Sequence, residues 1–145
     1  YCTVKENSNA RSCIFKVDRI PRNTQIVISY TQQGWSMMVV VFADEFAIIE
    51  GPAKVKIHKG ETYTIDHVKT RRDMTPGGRM MEAAIYKVSE NLLREMGKAS
   101  GKIRIYLAGS VTEEQEVEVA AKLFSDIDTY IEETKTELGV LFKEE

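Results

Sequence analysis

Long hydrophobic runs are absent from this chain. The longest, Met37 to Ala43, has seven residues against the roughly 20 a membrane-spanning helix needs. No membrane span is expected. Cysteine occurs twice in 145 residues, histidine twice and proline three times. The histidines, His58 and His67, stand at no metal-ligand spacing from each other or from a cysteine, so no metal is expected. There is no Gly-x-Ser-x-Gly nucleophile motif and no cofactor signature, so neither catalytic residues nor a cofactor can be assigned. Net basic charge is missing too: the formal charge is −2 and the sequence pI about 5.8. Counterion release rewards a broad, net-basic face, so general nucleic-acid binding is not expected.

What is present is a core. With 43% apolar residues, the chain suits a single domain over residues 1–145 that needs no staple to fold. Charge is sorted along it. Residues 53–104 carry twelve Lys/Arg against six Asp/Glu, and residues 105–145 carry three against eleven. A basic middle and an acidic tail could meet within one molecule, which would make the sorting structural. Between copies they would make a salt-sensitive homo-oligomer.

Both cysteines, Cys2 and Cys13, flank the polar stretch Thr3 to Ser12. Residues 1–12 therefore read as an N-terminal loop for which Cys2 and Cys13 are a candidate disulfide, a bond that persists in an oxidising compartment; the alternative is two unrelated cysteines, Cys13 opening a buried strand and Cys2 in the terminal tail. The chain starts at Tyr1 rather than Met, and the expectation is that an upstream segment was removed, by signal cleavage or by design. An exported, periplasmic or secreted protein is the reading; a cytoplasmic one stays open.

Apolar segments with polar breaks at Cys13–Ile20, Gln25–Thr31 and Trp35–Phe42 read as strands, with turns at Arg22-Asn23 and Gln33-Gly34. Another apolar stretch, Phe46–Ile49, follows Asp44-Glu45. Two hairpins come next, and residues facing across an antiparallel pair share a face. A three-residue loop near Lys59-Gly60 sets Ile57 opposite Tyr63 and Val55 opposite Ile65. Around Thr75-Pro76-Gly77-Gly78, pairing Tyr63 with Val88, Ile65 with Tyr86 and Lys69 with Glu82 continues that face. Ser89 caps a short helix containing Leu92, Leu93 and Met96, and Lys102–Ala108 is a further strand. Thr112-Glu113-Glu114-Gln115 has capping-box spacing, and Val117, Ala120, Ala121, Phe124, Ile127, Ile131 and Leu138 recur at helical intervals. They predict a long helix over 113–138. The fold class is α+β: a mainly antiparallel, twisted sheet of about seven strands, a short inserted helix and a long C-terminal helix packed on one face.

The candidate anion-binding residues are His67, Lys69, Arg71, Arg72 and Arg79. In the register above, His67, Lys69 and Arg71 extend the apolar face of Tyr63 and Ile65, making one sheet end basic. Guanidinium forks and a glycine-rich turn suit phosphate or carboxylate. A solvated hairpin tip explains the same residues more plainly. Function is accordingly read as a non-catalytic binding module, using this basic end or a sheet–helix cavity to hold a small molecule, an anionic ligand or a protein partner. The alternatives are a small hydrolase or lyase with an acid/base site near His67, and a salt-sensitive homo-oligomeric assembly protein.

Overall fold

Period-two burial organises most of this chain: inward and outward side chains alternate strictly along Ala53–Ile57 and nearly so along Thr24–Thr31. The computed structural model describes residues 1–4, 11–21, 24–44, 48–57, 60–109 and 115–139. Among these are nine strands: β1 (Cys2–Val4), β2 (Arg11–Ile20), β3 (Thr24–Thr31), β4 (Gly34–Ala43), β5 (Ala53–Ile57), β6 (Thr62–Met74), β7 (Met80–Lys87), β8 (Lys102–Leu107) and β9 (Gln115–Ala120). Two α-helices accompany them, α1 (Glu90–Lys98) and α2 (Ile127–Glu137), with a 3₁₀ turn at Ala121–Phe124. The strands form one antiparallel sheet in the order β1-β2-β3-β4-β7-β6-β5-β8-β9. Although β2 and β9 lie near opposite ends of that order, they approach each other without pairing. The sheet is therefore curled almost into a ring, with both helices on its inner face.

The overall α+β class matches the expectation, and two details are corrected. There are nine strands rather than seven, and the long helix over 113–138 does not form. Its first part is β9, because Gln115-Glu116-Val117-Glu118-Val119-Ala120 alternates with period two and its β-branched Val117 and Val119 are buried against the core. Pairing with β8 along six residues satisfies the backbone there. Helix α2 is only eleven residues long and buries Ile127, Tyr130, Ile131 and Thr134. The N-terminal stretch is likewise a strand at Cys2–Val4, where Cys2 stands directly across from Cys13 and the two are joined as a disulfide. The expected turn at Arg22-Asn23, residues 45–47, His58 and the capping-box residues 112–114 lie outside the described residues.

Helix α1 forms as expected, with Ser89 Oγ accepting the Leu92 N–H at 3.1 Å. It meets the start of α2 at Gly97, where a Cβ would collide with Ile127 Cγ2. Nothing larger than hydrogen fits. Arg94 then ties the helices together, donating to Glu90 at 3.1 Å, Asp128 at 2.9 Å and Glu132 at 2.6 Å. Lys135 pairs with Glu90 at 2.7 Å, and on the sheet Lys102 pairs with Glu118 while Arg104 reaches Glu116 and Glu118. The basic middle and acidic tail thus meet inside one molecule. Tyr130 fixes α2 to the sheet, its hydroxyl lying 2.8 Å from the Cys13 carbonyl and 2.9 Å from that of Ile28. Burial raises its pKa.

Two stability predictions follow from this packing. Replacing Cys2 and Cys13 together by serine should lower stability by about 2–3 kcal/mol through lost loop closure, read as a lower urea midpoint; an unchanged midpoint would show the tie to be idle. Burial raises the pKa of Glu90, but hydrogen bonds from Lys135 and Arg94 outweigh it and hold the carboxyl below its ordinary 4.5. A depressed carboxylate stabilises fully above its unfolded pKa and stops doing so as pH falls through the folded value. Wild type should melt above Glu90→Gln at pH 7, and the gap should close as pH falls below 4.5 through the lowered folded pKa. A constant gap between the melting points would contradict this.

Candidate functional site

The two expected hairpins form, each with its register displaced by two residues from the prediction. Val55 faces Tyr63 and Ala53 faces Ile65, while His67 faces Tyr86. A displacement by two preserves the faces, so Ile65 and Tyr86 do share one. A β-bulge between His67 and Lys69 then shifts the pairing by one, setting Lys69 against Ile85, Thr70 against Ala84 and Arg72 against Glu82. One extra residue reverses every side chain beyond it. The single basic face expected from His67, Lys69 and Arg71 is therefore split: His67, Thr70 and Arg72 share the inner face, and Lys69 and Arg71 turn outward.

The inner group is a closed polar network. Glu82 is only 3% exposed, and its carboxylate accepts the Ile48 N–H at 2.8 Å and the Ile49 N–H at 2.9 Å. Thr70 Oγ1 donates to the Ile49 carbonyl at 2.7 Å, and Arg72 Nη2 donates to the same oxygen at 3.2 Å. Since the Thr70 hydroxyl hydrogen is used there, His67 Nε2 is the donor in its 2.7 Å contact with Thr70 Oγ1. Arg72 also lies 3.5 Å from Glu50 and 3.9 Å from Glu82. These groups hold Ile48 at φ 54°, a left-handed conformation unfavourable for a β-branched residue. Next to them, Tyr86 is fully buried and its hydroxyl has no partner among the described residues. Burial, reinforced by the Glu82 charge, pushes its pKa upward.

The outer group stands on different ground. Lys69 and Arg71 are exposed, and no ion pair of theirs is recorded among the described residues. Their cross-strand neighbours are Ile85 and Ala83 of β7, which in turn face Met38 and Val40 of β4. Phe42 faces Met81, and Met38 faces Val27 of β3. The result is an apolar surface on the side of the sheet away from the helices. Val27, Met38, Phe42, Met81 and Ile85 are half-buried there, while Val40 and Ala83 are buried between them; the helix-side core takes Met37, Val39, Ala84 and Tyr86 from the same strands. Ile14, 42% exposed, extends the patch on β2, and Lys16 and Lys87 are exposed at its margins. A half-buried apolar sheet face that no described helix covers is the kind of surface interaction sites use. An unusually apolar β4, hydrophobic at successive positions from Met37 to Phe42, was its sequence signal; such a run reads equally well as a strand covered on both faces.

The remaining candidates are dispersed. Arg79 is exposed beyond the β6–β7 turn, where its backbone N–H donates to Thr75 Oγ1 at 3.1 Å. Between helices and sheet, the space is filled by fully buried Tyr86, Tyr130, Phe124, Leu92, Leu93 and Met96. A concave feature does exist, at the open end of the curl: a cleft of about 620 Å³ lined by Pro21, Thr24, Val41, Phe42, Ala43 and residues 115–118 of β9. No helix among the described residues is long and apolar enough to cross a membrane.

Comparison with protein-family models, with curated proteins and with solved structures returned no match to this chain.

Glu82→Ala should cost about 2–5 kcal/mol, because it strands the Ile48 and Ile49 amides. Hydrogen exchange at those two amides should speed up at least as much as the global change requires. Amides of Ile48 and Ile49 that stayed as protected as before, relative to the rest of the core, would show that Glu82 does not hold them.

Proposed function

We propose that the chain is a non-catalytic binding module whose partner is another protein, docked on the outer face of β3, β4, β7 and β6. The observation that carries this reading is the apolar surface of Val27, Met38, Phe42, Met81 and Ile85 lying outside the core and bordered by Lys69 and Arg71. A sheet face is broad and shallow, whereas small-molecule sites are concave, so a macromolecular surface is the better fit. The matching partner surface has an apolar centre and an acidic margin opposite Lys69 and Arg71. Its location is proposed to be outside the reducing cytosol, where the Cys2–Cys13 bridge would persist.

Acid/base chemistry at His67 has less support. The imidazole is hydrogen-bonded to Thr70 and lies against the Tyr86 ring, with centroids 5.6 Å apart, while the nearby carboxylate, Glu82, is occupied by backbone amides. Assembly through the acidic tail is weakened by the ion pairs that tail forms within its own molecule.

A photo-crosslinking amino acid placed at Met38, at Ile85 and, as a control, at Lys56 would test the reading in the producing cells. Adducts are expected from Met38 and Ile85, and these should fall at least about tenfold when Lys69 and Arg71 are both changed to Glu, the scale of a lost pair of interfacial charge contacts. Equal adducts from Lys56, or none from Met38 and Ile85, would overturn it.

A further inference from the structure

Strand β9 closes one end of the sheet order and pairs only with β8. Which of its backbone groups remain free follows from the ladder. The Ala121 N–H donates to the Gly101 carbonyl at 2.9 Å, in line with the register that sets Ala120 against Lys102. Hydrogen-bonded pairs alternate along an antiparallel ladder, so Val119, Val117 and Gln115 direct their N–H and C=O toward β8. Glu118 and Glu116 direct theirs the other way. No backbone partner is recorded for those outward groups among the described residues. On the far side of the gap, among the described residues, the N-terminal strand covers β2 along Arg11–Ile14, and β9 approaches β2 without pairing. The 620 Å³ cleft runs beside these same residues, 115–118.

We propose that the open edge of β9 accepts an extended peptide from another protein as an added strand. The cleft gives the peptide its two faces. Residues of the added strand opposite Val117 would point inward, toward the Val41 and Val117 side of the cleft, and so would be apolar. Those opposite Glu116 and Glu118 would share the outer face with two carboxylates that are 47% and 40% exposed, and that Lys102 and Arg104 contact from the β8 side. Basic side chains suit those positions, since opposite charges across a ladder stabilise it and like charges destabilise it. A second copy of this chain is the wrong occupant for the same reason. Two β9 edges paired antiparallel would bring carboxylate against carboxylate. The fitting ligand is thus a heterologous segment alternating basic and apolar residues, bound mainly through its main chain. This site is separate from the outer face of β4 and β7, and neither proposal requires the other.

The test uses the whole chain and a blocked peptide of sequence Lys-Val-Arg-Val-Lys-Val, with amide NMR shifts and hydrogen exchange as the readout. Saturable shifts should centre on residues 115–120, and exchange of the Glu116 and Glu118 amides should slow in the complex. A peptide N-methylated at alternate residues should bind about tenfold or more weakly, since two ladder hydrogen bonds are lost. A Glu-Val-Glu-Val-Glu-Val peptide should also bind more weakly, and Glu116→Lys with Glu118→Lys should invert the preference in a protein whose melting point confirms that it is folded. Unchanged affinity after N-methylation would overturn the proposal. So would shifts centred on Met38 and Ile85, or no saturable binding by either peptide.

Discussion

The curl of this sheet depends on a carboxylate buried in β7. The chain leaves β4 in the middle of the sheet and must begin β5 beyond two intervening strands, β7 and β6. A segment making that crossing has no strand partner for much of its backbone, and buried amides without partners are costly. Glu82 answers this by accepting two consecutive N–H groups from Ile48 and Ile49, while Thr70 and Arg72 donate to the Ile49 carbonyl. Glu50 N–H then reaches the Ala108 carbonyl at 3.0 Å, linking the crossing to the end of β8. The bulge in β6 belongs to the same arrangement, because only with the extra residue do Thr70 and Arg72 face inward. With Arg72 accessible to solvent and 3.9 Å from Glu82, this ion pair is weak evidence of net stabilisation. What it does is fix one path for the crossing.

The same curvature divides the surface into two kinds. Inward-facing side chains of β2 to β9 join the buried core beside the two short helices and need no further cover. Outward-facing ones differ by region. On β8 and β9 they are Lys102, Arg104, Glu116 and Glu118, which satisfy one another. Hydrogen bonds from Lys102 and then Arg104 hold Glu118 below the usual carboxylate range, as expected of a charge already paired. On β4 and β7 they are apolar, and no described helix covers them. Exposed pairs such as Arg104 with Glu116 contribute little to folding. Their greater effect is on which neighbours an open sheet edge will tolerate.

Legibility of these features in the sequence depended on how local their causes are. The α1 cap at Ser89, the turns near Gln33 and at Thr75–Gly78, the shared face of Ile65 and Tyr86 and the cysteine bridge are all set by residues close in sequence or by period-two patterning. The bulge is set elsewhere. Val68 carries no bulge signal, and it is the need to meet Ile49, about twenty residues earlier, that turns Thr70 and Arg72 inward. Pattern reasoning therefore placed Lys69 and Arg71 on the wrong side and grouped Arg72 with them. The stretch after Thr112 failed for another reason: its valines satisfy period two over six residues and helical spacing when combined with Phe124, Ile127 and Ile131. Only the availability of a β8 partner decides between them. The outer apolar face was legible as hydrophobicity and illegible as exposure.

Trp35 is the only tryptophan in the chain and lies within an aromatic group that spans the sheet and α2. Its ring stands 4.9 Å from Tyr30 and 5.8 Å from Tyr130, and Tyr130 in turn lies 5.5 Å from Phe15. Light absorbed by Tyr130 will reach the indole most efficiently while α2 is seated, whereas Tyr30, on β3, reports on the sheet itself. The molecule therefore carries its own optical gauge of helix docking, one that distinguishes a loosened α2 from a sheet that has opened.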